Sequence, residues 1–118
     1  NQTAFPPDQK VIIKRDNLFD KWQDVIIKAY LSKKIKGSFE IWVNGKKQFD
    51  YKGISRQSTA VRDPIDLGIY NTGSMFGTQN NDGKDLGNIV VLVDEIRVGD
   101  SCKDLKLEDF KYECSALN

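Results

Sequence analysis

The 118-residue sequence predicts an all-β protein built as an antiparallel β-sandwich. Three observations support this fold class: apolar residues alternate with polar ones in most apolar segments, turn-forming residues separate these segments, and no segment shows helical spacing. We expect one domain over residues 1–118, because the sequence contains no internal repeat, low-complexity tract or linker.

The first half of the chain predicts three elements in order. The short apolar run at 11–13 predicts a strand, and the alternation over 22–31 predicts a second strand. Residues 38–51 form the clearest element, a hairpin. Asn44-Gly45 supplies the two positive φ values that its tight turn requires.

The second half of the chain contains fewer apolar segments. Residues 65–70 alternate and predict a strand between two polar loops, 55–63 and 71–88. The nearly continuous β-branched run at 89–98 predicts a strand that is central or buried on both faces. For 105–112, a final strand and a short helix remain alternatives.

The charge balance excludes two classes of partner. The 18 Lys and Arg residues nearly cancel the 17 Asp and Glu residues, which leaves a formal net charge of +1. Nucleic acids and anionic membranes attract concentrated positive charge, so we expect neither as a partner. No apolar run approaches the roughly 18 residues that span a bilayer.

Two features near the ends of the chain indicate an extracellular protein. Cys102 and Cys114 flank a short apolar segment, which favours a disulfide that pins the last segment over two free thiols. Asn1 begins an N-glycosylation acceptor pattern. We therefore predict a secreted protein. Because no signal-peptide pattern occurs, we expect a processed N-terminus or a cut within a longer precursor.

Four segments carry a resemblance to a known family. They are 21–28 (KWQDVIIK), 37–46 (GSFEIWVNGK), 66–70 (DLGIY) and 93–99 (VDEIRVG). In order and spacing they resemble the C-terminal half of polysaccharide lyases with a concanavalin A-like jelly roll, such as heparin, glucuronan and alginate lyases. The resemblance implies two sheets packed face to face, with a concave groove for an anionic polysaccharide.

The resemblance also implies a chemistry, β-elimination beside a uronate, in which a tyrosine protonates the leaving oxygen. The family motif Lys-x-Gly-x-Tyr matches Asp66, Gly68 and Tyr70, so Tyr70 is the candidate proton donor and the lysine is replaced. Asp66 would repel a uronate, and the histidine that many members use is absent from this chain. We therefore expect a non-catalytic binding subunit. A lyase completed by another chain and a structural assembly subunit remain alternatives.

The length of the chain adds an expectation about partners. A full sandwich of this type needs about 200 residues or more, so we expect an incomplete sandwich with open sheet edges. A second polypeptide or another copy of the chain would complete it. A reorganised smaller sandwich is the alternative.

The candidate ligand-binding residues are aromatic, cationic or located on the matching motif. They are Tyr70, Asp66, Lys28, Tyr30, Arg56, Arg62 and Trp42. Lys28 and Tyr30 lie on the less apolar face of their strand, and the Trp42 ring could stack on a sugar. The arginines offer fork-shaped donors to an anion. The plain alternatives are solvent exposure and, for Trp42, packing under a loop. The expected ligand is a carbohydrate or another small molecule in the groove.

No cofactor or metal site is predicted. Asp94 and Glu95 are adjacent on a predicted strand, so their side chains would point to opposite faces. The loop at 80–83 has suitable oxygen atoms but lacks the spacing of a calcium-binding loop.

Overall fold

The computed structural model describes residues 10–56, Thr59 and residues 90–117. The chain divides into two compact units, residues 1–61 together with 99–118, and residues 62–98. The interpretation of residues 1–118 as a single domain stays a prediction.

The first unit contains a three-stranded antiparallel sheet in the order β1-β2-β3. The strands are β1 (Val25–Tyr30), β2 (Gly37–Val43) and β3 (Lys46–Gly53). They confirm the strand predicted within 22–31 and the hairpin predicted at 38–51. The described part of the chain is therefore mostly β, and the second sheet of a sandwich is not among the described residues.

The tight turn between β2 and β3 is formed by Asn44 and Gly45. Their φ values are +49° and +79°, in the left-handed region that a two-residue primed turn requires. Gly45 has a second role, because a Cβ atom there would lie 2.9 Å from Cε1 of Tyr112. The predicted turn is confirmed, and its glycine also leaves room for an aromatic ring of the C-terminal segment.

A β-bulge interrupts the pairing of β2 with β3. Ile41 pairs with Phe49 and Trp42 pairs with Lys47, so Gln48 is the extra residue. Directly paired residues share a face of a sheet, and an extra residue shifts the alternation of its strand by one position. The bulge therefore places Lys47 on the same face as Trp42.

The alternation and the register divide the sheet into two faces. The polar face carries Ile26, Lys28, Tyr30, Ser38, Glu40, Trp42, Lys47, Asp50 and Lys52. The apolar face carries Val25, Ile27, Ala29, Phe39, Ile41, Val43, Phe49 and Tyr51. On the apolar face the Phe39 and Phe49 rings meet edge to face at 6.5 Å, whereas Val25 and Ile27 are 45% and 55% exposed. Part of the apolar face therefore remains accessible.

The C-terminal segment forms short 3-10 helices at Cys102–Leu105, Leu107–Phe110 and Cys114–Ala116. For 105–112, the helical alternative is therefore the observed one. A disulfide joins Cys102 to Cys114 across a sequence separation of 12 and confirms the predicted pairing.

Few side chains are fully buried in the described residues. Trp42, Val43 and Leu107 are the apolar side chains that reach 8% exposure or less there. The Tyr112 hydroxyl donates a hydrogen bond to Asp24 Oδ2 at 2.6 Å, which connects the C-terminal segment to the residue before β1. A small core and the Tyr112–Asp24 hydrogen bond therefore stabilise the described part of the first unit.

Two predicted strands do not form in the described residues. Residues 11–13 have no strand, and residues 90–98 make no sheet pairing, with Val90 and Leu92 80% and 72% exposed. Within the second run, Glu95 has a φ of +53° and donates its backbone N–H to Asp94 Oδ1 at 2.9 Å. Such a local bond competes with the hydrogen bonds of a sheet. The prediction of a buried strand is therefore wrong for 90–98.

Candidate functional site

Part of the predicted site lies outside the described residues. This applies to Tyr70, Asp66 and Arg62, and also to the glycosylation candidate Asn1. The proton-donor role of Tyr70 and the glycosylation of Asn1 therefore stay predictions. The described candidates are Lys28, Tyr30, Trp42 and Arg56.

The sheet brings three of the four described candidates onto its polar face. Lys28 pairs with Glu40, and Tyr30 pairs with Ser38 on the neighbouring strand. Tyr30 is 62% exposed, and the Lys28 side chain is 73% exposed. Arg56 is separate from them, because it follows β3 and its backbone N–H donates to the Ser32 carbonyl oxygen at 3.1 Å. Among the described candidates on this face, Lys28 and Tyr30 are therefore the accessible ones.

Trp42 lies on the same face but is buried, with 3% of its surface exposed. The Lys47 ammonium lies 5.0 Å from the centroid of its ring, at the distance of a cation–π contact. A ring that stacks on a sugar must be accessible on one side, and this ring is not. The burial favours the packing alternative for Trp42.

Glu40 is the centre of the ion pairs on the polar face. Its Oε1 lies 2.6 Å from Lys47 Nζ, and its Oε2 lies 3.5 Å from Lys28 Nζ. Lys47 also approaches Asp50 Oδ2 at 3.7 Å. Because Lys47 makes the shorter contact and is the less exposed lysine, it is the main partner of Glu40.

These contacts change the pKa values of both partners. The hydrogen bond from Lys47 is the largest cause that lowers the pKa of Glu40 below its ordinary value of 4.5. The same bond raises the pKa of Lys47 above 10.5. A lowered carboxyl pKa adds stability that is present above pH 4.5 and is lost as the pH falls through the pKa of the folded state. A raised lysine pKa adds stability that is present below pH 10.5 and is lost as the pH rises through the pKa of the folded state.

We expect acidification below pH 4.5 to lower the free energy of unfolding less in Glu40→Gln than in the unchanged chain. The glutamine cannot be protonated, so its contribution no longer depends on pH in this range. Urea unfolding midpoints measured from neutral pH down to pH about 3 test this. Glu108→Gln is the matched control, since Glu108 is an exposed glutamate outside the sheet. A pH dependence of Glu40→Gln that matches the unchanged chain would contradict the assignment.

A cleft of about 430 Å³ lies beside the tight turn of the hairpin. We call it the turn cleft. Its lining is formed by Ile12, Ile13, Lys14, Asn17, Gln23, Val43, Asn44, Lys46 and Gln48. The volume falls in the range of pockets for small molecules, and the lining contains lysines and amides but no carboxylate.

The amide side chains of the turn cleft are held in place by hydrogen bonds. Asn44 Oδ1 accepts the backbone N–H of Asp24 at 3.0 Å, and Asn44 Nδ2 donates to Gln23 Oε1 at 2.7 Å. Gln23 Nε2 in turn donates to the Asn17 carbonyl oxygen at 2.7 Å. One wall of the cleft is therefore preorganised.

The turn cleft lies apart from the described site residues that the sequence predicts. Its lining comes from three separate parts of the chain, and no motif connects them. Asn44 is the one lining residue that a sequence motif singles out, and that motif indicates a tight turn.

Three comparisons, with protein-family models, with curated proteins and with solved structures, gave no match. Among the residues that the structure describes, no helix is long and apolar enough to cross a membrane. In the same part of the chain, no three His, Cys, Asp or Glu side chains gather where they could hold a metal ion.

Proposed function

We propose that this chain is a non-catalytic, extracellular binding subunit that holds a carbohydrate on the polar face of its sheet. The observation that carries the proposal is the exposed ring of Tyr30 next to the exposed Lys28 on that face. An aromatic ring offers a flat apolar surface to a pyranose, and an ammonium group offers three hydrogen-bond donors to its oxygen atoms.

The residues around Tyr30 support this proposal. Ser38 pairs with Tyr30 on one side and with Lys52 on the other, so a serine and a second exposed lysine continue the row across the polar face. Lys28 is the more distant partner of Glu40, whose charge is also met by Lys47 at 2.6 Å. Lys28 can therefore turn toward a ligand without leaving a carboxylate unpaired.

Two further features support the non-catalytic and extracellular parts of the proposal. In the motif that resembles those of the lyases, Asp66 stands in place of the lysine, and the chain contains no histidine to act as a base. The Cys102–Cys114 disulfide is typical of oxidising compartments outside the cytosol.

The proposal includes a second polypeptide or a second copy that completes the sandwich. It is supported by the accessible part of the apolar face, where Val25 and Ile27 are 45% and 55% exposed. Native mass spectrometry of the purified protein would report such a partner as a species heavier than 13.4 kDa.

The test is a glycan array followed by calorimetric titration of the best glycan. We expect Tyr30→Ala to weaken binding about tenfold, equivalent to about 1.4 kcal/mol, because the stacking surface is removed. Phe19→Ala is the matched control, since Phe19 is an aromatic residue that is 58% exposed and lies outside the sheet. The control variant should bind as the unchanged chain does.

Three outcomes would overturn the proposal. The first is that no glycan binds, and the second is that Tyr30→Ala and Phe19→Ala weaken binding equally. The third is that the chain releases unsaturated uronide ends that absorb ultraviolet light and that Tyr70→Phe abolishes their release. That result would establish a lyase.

A further inference from the structure

We infer that the turn cleft is a second binding site, which takes a carboxylate carried on a short aliphatic chain. The cleft combines two exposed lysines, Lys14 and Lys46, with an apolar floor formed by Ile12, Ile13 and Val43. It differs from the polar face in position and in chemistry, so this inference goes beyond the proposed carbohydrate function.

The charges in the turn cleft favour an anion. Lys14 and Lys46 have no carboxylate within 4.0 Å among the residues that the structure describes, and no acidic side chain lines the cleft. Lys28 and Lys47 on the polar face differ in this respect, since both are paired with Glu40. Within the described residues the two cleft lysines therefore carry positive charge that no close carboxylate balances, and a bound carboxylate would neutralise part of it.

The side-chain amides of Asn44 and Gln23 add hydrogen-bond donors for the same carboxylate. A primary amide carries two N–H donors. Within the described residues, Asn44 and Gln23 each use one of theirs to hold the wall in place. Their remaining donors are available to a ligand. Gln48, the extra residue of the β-bulge, also lines the cleft and carries a third primary amide.

The apolar side chains of the cleft determine which chemical group of the ligand carries the carboxylate. Ile12 and Ile13 are half-buried and Val43 is 8% exposed, so the floor is formed by branched aliphatic side chains. No aromatic side chain lines the cleft to stack on a sugar ring. Methylene and methyl groups are the natural partners of such a floor. A free short-chain acid and the aliphatic C-terminal residue of a peptide both present this chemistry.

The test is an NMR titration of the full chain that follows the methyl signals of Ile12, Ile13 and Val43. The probes are hexanoate for the free acid, N-acetyl-leucine for the peptide terminus, and hexylammonium as the oppositely charged control. We expect both carboxylates to shift these signals to saturation and hexylammonium to leave them unchanged. The tighter of the two carboxylates identifies the source of the ligand.

Matched variants separate the site from general attraction to lysines. The double variant Lys14→Gln/Lys46→Gln is expected to weaken hexanoate binding about tenfold or more. Lys33→Gln/Lys34→Gln removes the same charge from exposed positions outside the cleft and should bind as the unchanged chain does. Tyr30→Ala should also leave hexanoate binding unchanged, which keeps this test independent of the carbohydrate proposal. Equal binding of hexylammonium, equal weakening in both double variants, or no saturable shift would overturn the inference.

Discussion

Replacement of Trp42 by alanine is expected to lower the free energy of unfolding by about 3–5 kcal/mol, the usual cost of truncating a buried aromatic residue. Trp42 is 3% exposed and lies on β2, the middle strand of the sheet. The substitution removes the largest of the three buried apolar side chains in the described residues. It also removes the ring beneath the Lys47 ammonium. Native domains are stable by only about 5–15 kcal/mol, so the loss would affect a large part of the total.

Urea unfolding of Trp42→Ala beside Trp22→Ala provides the measurement and its matched control. Trp22 is 66% exposed, so its truncation should change the free energy of unfolding by about 0.5 kcal/mol or less. The free energy of unfolding of Trp42→Phe should lie between those of the unchanged chain and Trp42→Ala, because phenylalanine keeps part of the buried apolar surface. Equal effects of the two alanine variants would show that Trp42 is not a core residue.

Removal of the disulfide in Cys102→Ser/Cys114→Ser is expected to lower the free energy of unfolding by about 3 kcal/mol. The bond closes a loop with a sequence separation of 12, and its loss increases the conformational freedom of the unfolded chain. The loop contains Leu107, which is 6% exposed, and Tyr112, which binds Asp24. Loss of the bond should therefore also weaken the attachment of the C-terminal segment to the hairpin.

Thermal unfolding with and without a reducing agent measures the effect on stability. The reducing agent should destabilise the unchanged chain and leave the double serine variant unaffected. A second readout is the Tyr112 phenol, whose pKa is raised above 10.0 mainly by its hydrogen bond to Asp24. The raised value means that this contribution to stability is present below pH 10 and is lost as pH rises through the folded pKa. In the double variant, ultraviolet titration should show a lower pKa for this phenol. A stable double variant with an unchanged phenol titration would contradict the proposed role of the disulfide.

The local chemistry of the sequence determined the hairpin and its neighbour strand. Alternation of apolar and polar residues sets which side chains share a face, and Asn44-Gly45 adopts the φ values that only such residues reach easily. The disulfide was also predictable, because the chain has only two cysteines and they lie close together in sequence. Likewise, the alternation alone predicts that Lys28 and Tyr30 lie on one face of their strand.

Tertiary contacts decided the features that depend on distant parts of the chain. Sequence alternation places Trp42 opposite Ile41, but only packing determines that its ring is buried beside Lys47. The run at 90–98 makes no sheet pairing, although its β-branched residues favour one, because a strand forms only where a partner strand lies beside it. The turn cleft joins residues from 12 to 48 through a bulge and an amide network. No periodicity encodes such a site, because periodicity reports neighbours along one strand, whereas a cleft depends on which segments meet in space.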